Sequence, residues 1–384
     1  MRILIDYRPA LRARTGVGEY VHELASALAA ITARSRTSDP SRDTLTLFSS
    51  SWKDRLSPDA VPGLRTVDRR VPVQALNFAW HRLGWPSVES LVGDTFDVVH
   101  TSHPFPMPSK SAAQVVTVHD LDFLDHPERT TREIRRDYAT LAPAAVRAAD
   151  HVLVNSRHTA ADVERRLGVP PDRITICSPG APPWPRRTAE PRDGYLLFFG
   201  TLEPRKNVGT LLDAYERLLA DSADPPRLVL AGGTPAEAQP LLDRVARAPL
   251  NGRPGRVEVR GYVAPDQRYD LYSGALALIL PSHMEGFGIP ALEAMTVGVP
   301  VLAANRGALP EVVADAGILF DPSDAEALAH QLKRISTDAP LRERLRESGW
   351  RRAEQFRWAD SAARARDAWA RAISQRKQRS RPRG

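Results

Sequence analysis

The sequence predicts an α/β protein of two doubly wound parallel-sheet domains that face each other across a cleft. Three observations indicate this fold. Short continuous apolar runs alternate with amphipathic stretches, as is typical of parallel strands covered by helices on both faces. The alternation occurs in both halves of the chain, and the proline-rich residues 178–185 separate the halves. With 384 residues, of which 42% are hydrophobic, the chain can fill two cores.

Strand and helix patterns follow one another throughout. In the first half, a helix is predicted near 17–33, and the predicted strands are residues 3–5, 45–48, 98–99, 115–118 and 152–154. In the second half, the predicted strands are residues 195–199, 227–230, 257–259, 277–280 and 301–303, with helices near 208–220, 236–247, 267–273 and 290–297. Proline disfavours regular structure between the halves, so the domain boundary is expected there. Ligands of such folds bind at the carboxyl ends of the strands.

Positive charge is concentrated at the end of the chain. The formal net charge is +7, and residues 371–384 contain six basic side chains and no acid. Because the rest of the chain is close to neutral, we expect no nucleic-acid partner. Residues 373–384 are predicted to be a disordered basic tail, and attachment of this tail to anionic lipid head groups is the alternative.

The sequence favours a cytoplasmic protein, with peripheral contact at the inner face of a membrane as the alternative. No apolar run approaches the roughly 20 residues that cross a bilayer, and Asp6 follows the start too soon for a signal peptide. The single cysteine, Cys177, cannot form an internal disulfide, in agreement with a reducing compartment.

Residues 283–295 give the strongest chemical signal, two glutamates around a glycine-rich turn. The turn Gly286-Phe287-Gly288-Ile289 follows a predicted strand, and a proline suits the first turn of the next helix. The glycines let backbone N–H groups approach a ligand at the positive end of the helix dipole, so an anion is expected there. One of the two carboxylates, Glu285 or Glu293, would then address a sugar while the other meets a ribose. The alternative is that Glu293 only complements the helix N-terminus.

A basic pair follows the first strand of the second half. Arg205 and Lys206 end the segment that starts at Gly200, just before a helix beginning near Asn207. This position puts two cations where a diphosphate at the neighbouring loop would lie, and they would stabilise a departing nucleotide. A solvated basic pair without a ligand is the alternative.

In these segments the chain resembles the retaining two-domain glycosyltransferases of family 4, also called glycosyl transferases group 1, over residues 1 to about 370. The resemblance rests on the glutamate pair, on residues 200–206, and on residues 310–313 followed by 317–322. It implies a hexosyltransferase (EC 2.4.1.-) with the GT-B fold.

The resemblance also implies how the chain is divided. Two Rossmann-like domains are expected, an acceptor domain at residues 1–182 and a nucleotide-sugar (donor) domain at residues 183–355. A cross-over helix at residues 356–372 is expected to pack back onto the first domain.

Each candidate residue receives a role from the resemblance. Arg205 and Lys206 would contact the diphosphate, and the backbone of residues 286–289 would contact the phosphate. Glu293 would bind the ribose. Glu285 and His119 would bind the hexose. The family's usual arginine directly after Gly200 is Thr201 here, and we expect Arg205 to replace it. The anomeric configuration would be retained without a side-chain nucleophile.

Three features of the first half have alternatives. Gly16 and Gly18 resemble the family's donor-site glycine loop, and a dinucleotide fingerprint, the alternative, lacks its third glycine. His119 follows a strand, where a buried structural histidine is the alternative. Asp120 and Asp122 have the spacing of an Asp-x-Asp metal motif. The family it resembles uses Arg, Lys and helix termini on the diphosphate instead, so we expect no metal or other cofactor.

The donor and the acceptor are less specified. Residues 16–20, 119–128 and 203–207 look most like members that transfer mannose from GDP-mannose to saccharide or lipid-linked acceptors in polysaccharide assembly. A UDP-sugar is the alternative donor. An epimerase of the same architecture and a non-catalytic nucleotide-binding protein are alternatives of other classes, and the intact glutamates and basic pair argue against the second.

Acceptor contacts are expected from the first domain. The candidate loops are residues 101–105 and residues 72–86. In the second of these, Trp80 and Trp85 would either meet a lipid or sugar or fill the core.

Overall fold

The computed structural model describes residues 1–11, 14, 16–34, 43–127, 132–252 and 256–379. Within residues 132–137 it describes the backbone only. The chain divides into two compact units, Met1–Pro179 with Arg357–Gly384 (unit 1) and Gly180–Phe356 (unit 2). The predicted boundaries, after residues 182 and 355, lie close to these divisions.

Unit 1 contains a parallel sheet of seven strands. These are β1 (Arg2–Asp6), β2 (Thr44–Ser50), β3 (Arg65–Arg69), β4 (Val98–Thr101), β5 (Ala113–Val118), β6 (His151–Val154) and β7 (Ile174–Ile176), in the order β3-β2-β1-β4-β5-β6-β7. The central strands are buried on both faces, which explains their continuous apolar runs. All five predicted strands of this half are confirmed. The edge strands β3 and β7 were not predicted, because only Val67 of their eight residues is buried.

Helices cover both faces of this sheet. They are α1 (Gly16–Arg34), α2 (Val73–Leu83), α3 (Val88–Val92), α4 (Asp122–Asp125), α5 (Arg132–Ala148) and α6 (Arg157–Leu167). Local signals fix the ends of α6. The Ser156 hydroxyl accepts a hydrogen bond from the Thr159 amide at its start, and Gly168 ends it in the left-handed conformation.

Unit 2 contains a parallel sheet of six strands. These are β8 (Tyr195–Phe199), β9 (Leu228–Ala231), β10 (Val257–Gly261), β11 (Ala275–Leu280), β12 (Val301–Ala304) and β13 (Ile318–Phe320), in the order β10-β9-β8-β11-β12-β13. Its helices are α7 (Val208–Asp221), α8 (Gln239–Val245), α9 (Arg268–Ser273), α10 (Ile289–Val297), α11 (Leu309–Val313), α12 (Ala325–Thr337) and α13 (Ala339–Ala353). The five predicted strands and four predicted helices of this half are confirmed.

Each sheet has one point where the strand order reverses. In unit 1 the chain runs outward from β1 through β2 and β3 and then continues on the other side with β4; in unit 2 the same reversal separates β8 from β11. Loops that leave the carboxyl ends of these two neighbouring strands diverge to opposite faces of the sheet and leave a crevice for a ligand. In unit 2 the loops concerned carry Lys206 and Glu285.

The last helix, α14 (Trp358–Arg379), belongs to unit 1, where it packs against α1 and the sheet. The prediction of a disordered tail from residue 373 is wrong for residues 373–379, which are helical. The reason is a tertiary partner. Asp150, which is almost fully buried, accepts hydrogen bonds from Arg376 (3.3 Å) and Arg379 (3.4 Å). Two of the basic charges proposed for lipid contact are therefore paired. Residues 380–384 lie outside the described residues.

Ending the chain after Gln375 is expected to destabilise unit 1 by about 1–2 kcal/mol, since the Asp150 carboxylate then loses both arginine donors. Urea denaturation followed by circular dichroism would measure the change. A chain ended after Arg379 is the matched control and should be as stable as the full chain. Equal stability of all three chains would contradict a structural role for Arg376 and Arg379.

Across the part of the chain that the structure describes, we find no helix with the length and apolar character needed to span a membrane.

Candidate active site

The loop between β11 and α10 holds Glu285 and the glycine-rich turn. Gly288 begins the helix with φ of 101°, a conformation that favours glycine, and a Cβ atom added there would lie 2.7 Å from Leu309 Cδ2. Pro290 then occupies the first turn of α10. The turn therefore brings the backbone of residues 286–289 to the N-terminal end of the helix, as the sequence predicts.

The segment between β8 and α7 holds the basic pair. Residues Pro204–Lys206 form a short 3-10 helix, and Asn207 follows it with φ of 54°. The Asn207 side-chain amide donates to Pro281 O (3.0 Å) and to Pro322 O (2.8 Å). The His283 amide donates to Arg205 O (2.9 Å). These bonds join the basic segment to the loop after β11, and the strained backbone at Asn207 is held by them.

Glu285 is the centre of a buried charge cluster. The residue is 6% exposed, and its Oε1 accepts hydrogen bonds from Lys206 Nζ (2.7 Å) and Ser282 Oγ (2.8 Å). Arg205 Nη1 lies 3.7 Å from Oε2. Burial alone would raise the pKa of the Glu285 carboxyl, but the charges of Lys206 and Arg205 and these hydrogen bonds outweigh it, so the pKa lies below its ordinary value. Glu285 is therefore ionised at neutral pH.

The backbone of Glu285 is also fixed. The Ala308 amide donates to Glu285 O at 2.9 Å. Gly307, with φ of 59°, lies so close that an added Cβ atom would be 2.6 Å from that carbonyl oxygen. Only glycine permits this approach, which keeps the carboxylate facing Lys206.

Glu293, on α10 of unit 2, has other hydrogen-bond partners than Glu285. It is 4% exposed, and its carboxylate accepts hydrogen bonds from Arg268 Nη1 (3.3 Å) and Tyr272 Oη (2.6 Å), both on α9. Because Glu293 lies beyond the first turn of α10 and contacts another helix, it does more than complement the helix N-terminus.

The first-domain candidates lie in unit 1. Gly16 begins α1, and Gly18 packs so closely on the short 3-10 helix Arg8–Ala10 that an added Cβ atom would lie 2.6 Å from Pro9 O. His119 follows β5. Its Nε2 lies 3.1 Å from Ser102 O and its Nδ1 lies 2.7 Å from Asn155 Nδ2, so Nε2 donates and Nδ1 accepts.

Burial lowers the pKa of His119 to about 4, so the imidazole is neutral at physiological pH. A neutral ring with both nitrogens engaged is suited to positioning a neighbour by hydrogen bonding rather than to transferring protons. The predicted contact of His119 with a hexose stays a prediction.

Stability is expected to fall as the pH drops from about 6.5 towards 4. Burial lowers the pKa of His100 to about 3 and that of His119 to about 4, whereas the ordinary value is 6.5. In this window the unfolded chain binds protons that the folded chain does not, so acid favours unfolding. His100→Gln should flatten the dependence, and the exposed His330 offers a control position. Urea denaturation at pH 7 and pH 5 measures the free energy of unfolding at each pH. An equal loss of stability between these two pH values in His100→Gln and in the wild-type chain would contradict the prediction.

The two tryptophans of residues 72–86 differ. Trp80 is 5% exposed, donates to Pro86 O at 2.8 Å and lies under the Arg8 guanidinium, so it fills the core. Trp85 is 68% exposed. Of the two, only Trp85 offers a ring to a ligand.

The structure thus brings Arg205, Lys206 and Glu285 together, and it places Glu293 with Arg268 and Tyr272. Sequence reasoning missed four side chains that hold these groups: Ser282, Asn207, Arg268 and Tyr272. The spacing of Arg268 and Tyr272, four residues apart on a predicted helix, was a usable signal that they share one face. Replacement of the Thr201 contact by Arg205 stays a prediction.

Asp120 Oδ1 accepts a hydrogen bond from the Asp122 amide at 3.2 Å, at the start of α4. Among the residues with described positions, no group of three or more His, Cys, Asp or Glu side chains is placed to hold a metal ion.

The chain matches two family models, "Glycosyltransferase Family 4" over residues 14–183 and "Glycosyl transferases group 1" over residues 183–352. O-antigen chain mannosyltransferase B of Escherichia coli is 32% identical over 277 residues, which are 69% of this chain and 72% of that protein. D-inositol 3-phosphate glycosyltransferase of Streptomyces bingchenggensis is also 32% identical, over 65% of this chain, and the match spans 57% of that protein.

Solved structures share the fold over nearly the whole chain. Sucrose-phosphate synthase from Thermosynechococcus elongatus is 21% identical with a TM-score of 0.76, over 97% of this chain and 99% of that one. WaaG, a glycosyltransferase involved in lipopolysaccharide biosynthesis, is 19% identical with a TM-score of 0.70, over 96% and 99%. With these matches and its two parallel-sheet units, the chain belongs to glycosyltransferase family 4 and is a glycosyltransferase of the GT-B fold.

Proposed function

We propose that the protein is a retaining hexosyltransferase that moves mannose from GDP-mannose to a saccharide or lipid-linked saccharide in glycan assembly. The observation that carries this proposal is the buried cluster of Glu285 with Lys206 and Arg205 at the point where the strand order of unit 2 reverses. A relative at 32% identity is an O-antigen chain mannosyltransferase, which supports mannose as the sugar.

In this proposal Arg205 and Lys206 stabilise the negative charge of the departing nucleoside diphosphate. Arg205 and Lys206 lie beside the glycine-rich turn at the start of α10, so a diphosphate at the turn would meet two positive side chains and the helix N-terminus. Negative charge grows on the diphosphate as the bond to the sugar breaks. Interactions that strengthen with that charge lower the barrier rather than only tightening binding.

Glu285 is proposed to bind the hexose. Because its pKa is lowered and its side chain is fixed by Lys206 and Ser282, it is a permanent hydrogen-bond acceptor for sugar hydroxyls. Glu293 is proposed to take the ribose hydroxyls, and the predicted donor contacts of Gly16, Gly18 and His119 stay predictions. The proposed mechanism assigns no nucleophile to this cluster, and the Glu285 carboxylate is instead paired with Lys206 and Arg205.

The proposed chemistry is a substitution on one face of the sugar. The bond from the anomeric carbon to the phosphate oxygen breaks, the acceptor oxygen bonds to the anomeric carbon on the same face, and the acceptor proton passes to the departing phosphate oxygen. The residues then contribute position and charge.

The donor is tested by saturation-transfer NMR with GDP-mannose and UDP-glucose. A stronger saturation-transfer signal from GDP-mannose than from UDP-glucose supports the proposal. If only UDP-glucose binds, the proposed donor would have to be changed to a UDP-sugar. The second candidate donor is supported by the fold relative Anabaena HepE, whose structure is a complex with UDP and glucose.

The stereochemistry is tested with water as acceptor. Proton NMR of GDP-mannose during slow hydrolysis should show α-mannose first if configuration is retained. Initial β-mannose would overturn retention, and formation of an isomeric nucleotide-sugar would indicate an epimerase.

Transfer is expected to be unchanged by EDTA, because Arg205, Lys206 and the start of α10 supply positive charge to the diphosphate. The measurement is the rate of GDP release from GDP-mannose before and after chelation, with added Mg²⁺ as control. A loss of rate that Mg²⁺ restores would contradict this expectation.

A further inference from the structure

Glu293 is held by a buried polar network between α9 and α10. Arg268 and Tyr272 are each buried and donate to different oxygens of the carboxylate, Arg268 Nη1 to Oε1 at 3.3 Å and Tyr272 Oη to Oε2 at 2.6 Å. One donor on each oxygen opposes rotation of the carboxylate group. The network therefore fixes both the position and the plane of the Glu293 carboxylate.

The charges in this network are costly for the fold. Arg268 is 4% exposed, like Glu293, and moving two ions out of water requires a large desolvation free energy that their attraction only partly returns. Replacing such a buried pair by apolar side chains of similar volume is often neutral or stabilising. The buried ion pair of Arg268 with Glu293 is thus not explained by stability, which points to a ligand.

Tyr272 is a permanent donor in the network. Burial, and then the neighbouring Glu293 carboxylate, raise the pKa of the phenol well above its ordinary value, so the hydroxyl keeps its proton. Glu293 is in turn an acceptor, which matches the hydroxyl donors of a ribose.

The same network contacts the segment that carries the basic pair. The Arg268 guanidinium lies 5.7 Å from the Phe199 ring centroid, and the Tyr272 ring meets Phe199 edge-on at 5.6 Å. Phe199 ends β8 and immediately precedes Gly200, where the segment of Lys206 starts. One packed group of side chains therefore supports both the Glu293 carboxylate and the start of the basic segment.

We propose that Arg268 and Tyr272 are positioning residues that aim the Glu293 carboxylate at the 2′- and 3′-hydroxyls of a bound ribonucleoside diphosphate. This inference rests on the proposed function, in which Glu293 meets the ribose. It adds that affinity for the ribose depends on two side chains of α9 that themselves do not touch the nucleotide.

The test uses the full chain and two pairs of probes, GDP with 2′,3′-dideoxy-GDP and UDP with 2′,3′-dideoxy-UDP, with Kd measured by calorimetry. For the nucleotide that the wild-type chain binds, Tyr272→Phe is expected to weaken binding of the ribonucleotide about tenfold or more. The dideoxy analogue should bind the variant and the wild type equally. In transfer assays the donor KM should rise by a similar factor, with a smaller change in kcat.

Tyr215→Phe is the matched control. Tyr215 is another buried tyrosine of unit 2, and its hydroxyl donates to Pro226 O (2.8 Å) and Arg256 O (3.0 Å), away from Glu293. Removing this hydroxyl is expected to lower stability without changing the ratio of ribonucleotide to dideoxynucleotide affinity. If Tyr272→Phe does not fold, Arg268→Lys replaces it, since it keeps the charge while removing the planar guanidinium.

The outcomes separate the inference from the function on which it rests. A variant that loses only stability, or that loses affinity for both members of a pair equally, would overturn the positioning role while leaving the donor site intact. If the wild-type chain binds both members of a pair equally, the proposed contact of Glu293 with the ribose is contradicted. Failure of the wild-type chain to bind GDP or UDP would overturn the proposed function and this inference together.

Discussion

Lys206→Ala is expected to lower kcat/KM for transfer at least a hundredfold and to weaken binding of GDP itself. Lys206 is the cation closest to Glu285, at 2.7 Å, and the proposed partner of the diphosphate. A hundredfold loss corresponds to about 2.7 kcal/mol of transition-state stabilisation, within reach of one charge-assisted contact in a partly dry site. Initial rates with GDP-mannose and calorimetry with GDP measure the two effects.

The experiment must separate chemistry from stability, because Lys206→Ala also leaves a buried carboxylate without its main partner. Such a loss typically costs about 3–5 kcal/mol. Rates should therefore be compared at a temperature where denaturation curves show the variant folded. Lys333→Ala removes an exposed lysine of α12 and serves as control, with activity expected to be unchanged. Wild-type transfer by folded Lys206→Ala would remove Lys206 from the mechanism.

Glu285→Ala is expected to lower transfer a hundredfold or more while GDP, which has no hexose, still binds. The carboxylate is proposed to hold the hexose, so its loss acts on the reacting sugar rather than on the nucleotide. Glu285→Gln keeps the side-chain shape and the Ser282 contact, and it should show most of the same loss, because the amide lacks the charge. Transfer rates and the Kd of GDP, measured side by side, give the contrast with Lys206→Ala.

Glu203→Gln is the matched control for Glu285. Glu203 also pairs with Arg205, at 2.7 Å, but it is about one quarter exposed, so its contact is screened by solvent. A change of only a few-fold is expected. If Glu203→Gln and Glu285→Gln reduced transfer equally, the effect would belong to the orientation of Arg205 and not to a contact of Glu285 with the sugar.

Much of this site was predictable because its signals are local. The strand before residue 281, the glycines at 286 and 288 and the proline at 290 each act within a few residues, and together they predict a strand, a ligand-binding turn and a helix start. The same holds for the basic pair between β8 and α7. Such local backbone preferences can be recognised in the sequence, and the structure confirms the strand and the helix start, while ligand binding by the turn stays a prediction.

The contacts and elements that the sequence did not predict depend on residues that are distant from one another in the chain. Arg268 and Glu293 are 25 residues apart and meet only because α9 packs on α10. Arg376 meets Asp150 across 226 residues, and without that partner its basic surroundings predict disorder. Edge strand β3 has the composition of a polar segment because its outer edge meets no further strand and only Val67 of its five residues is buried. Composition and periodicity carry no direct record of such contacts.

The membership of α14 in unit 1 has a consequence for biosynthesis. Trp369, Ala365 and Ala368 of this helix share a core with Tyr20 and Leu28 of α1, although the whole of unit 2 is translated between them. On the ribosome, unit 2 is therefore complete first, because it is one uninterrupted stretch of the chain. The apolar surface of α1 and of the unit 1 sheet stays uncovered until the last residues emerge. Nascent chains stalled before residue 358 should bind chaperones through that uncovered surface and release them once the final helix is made.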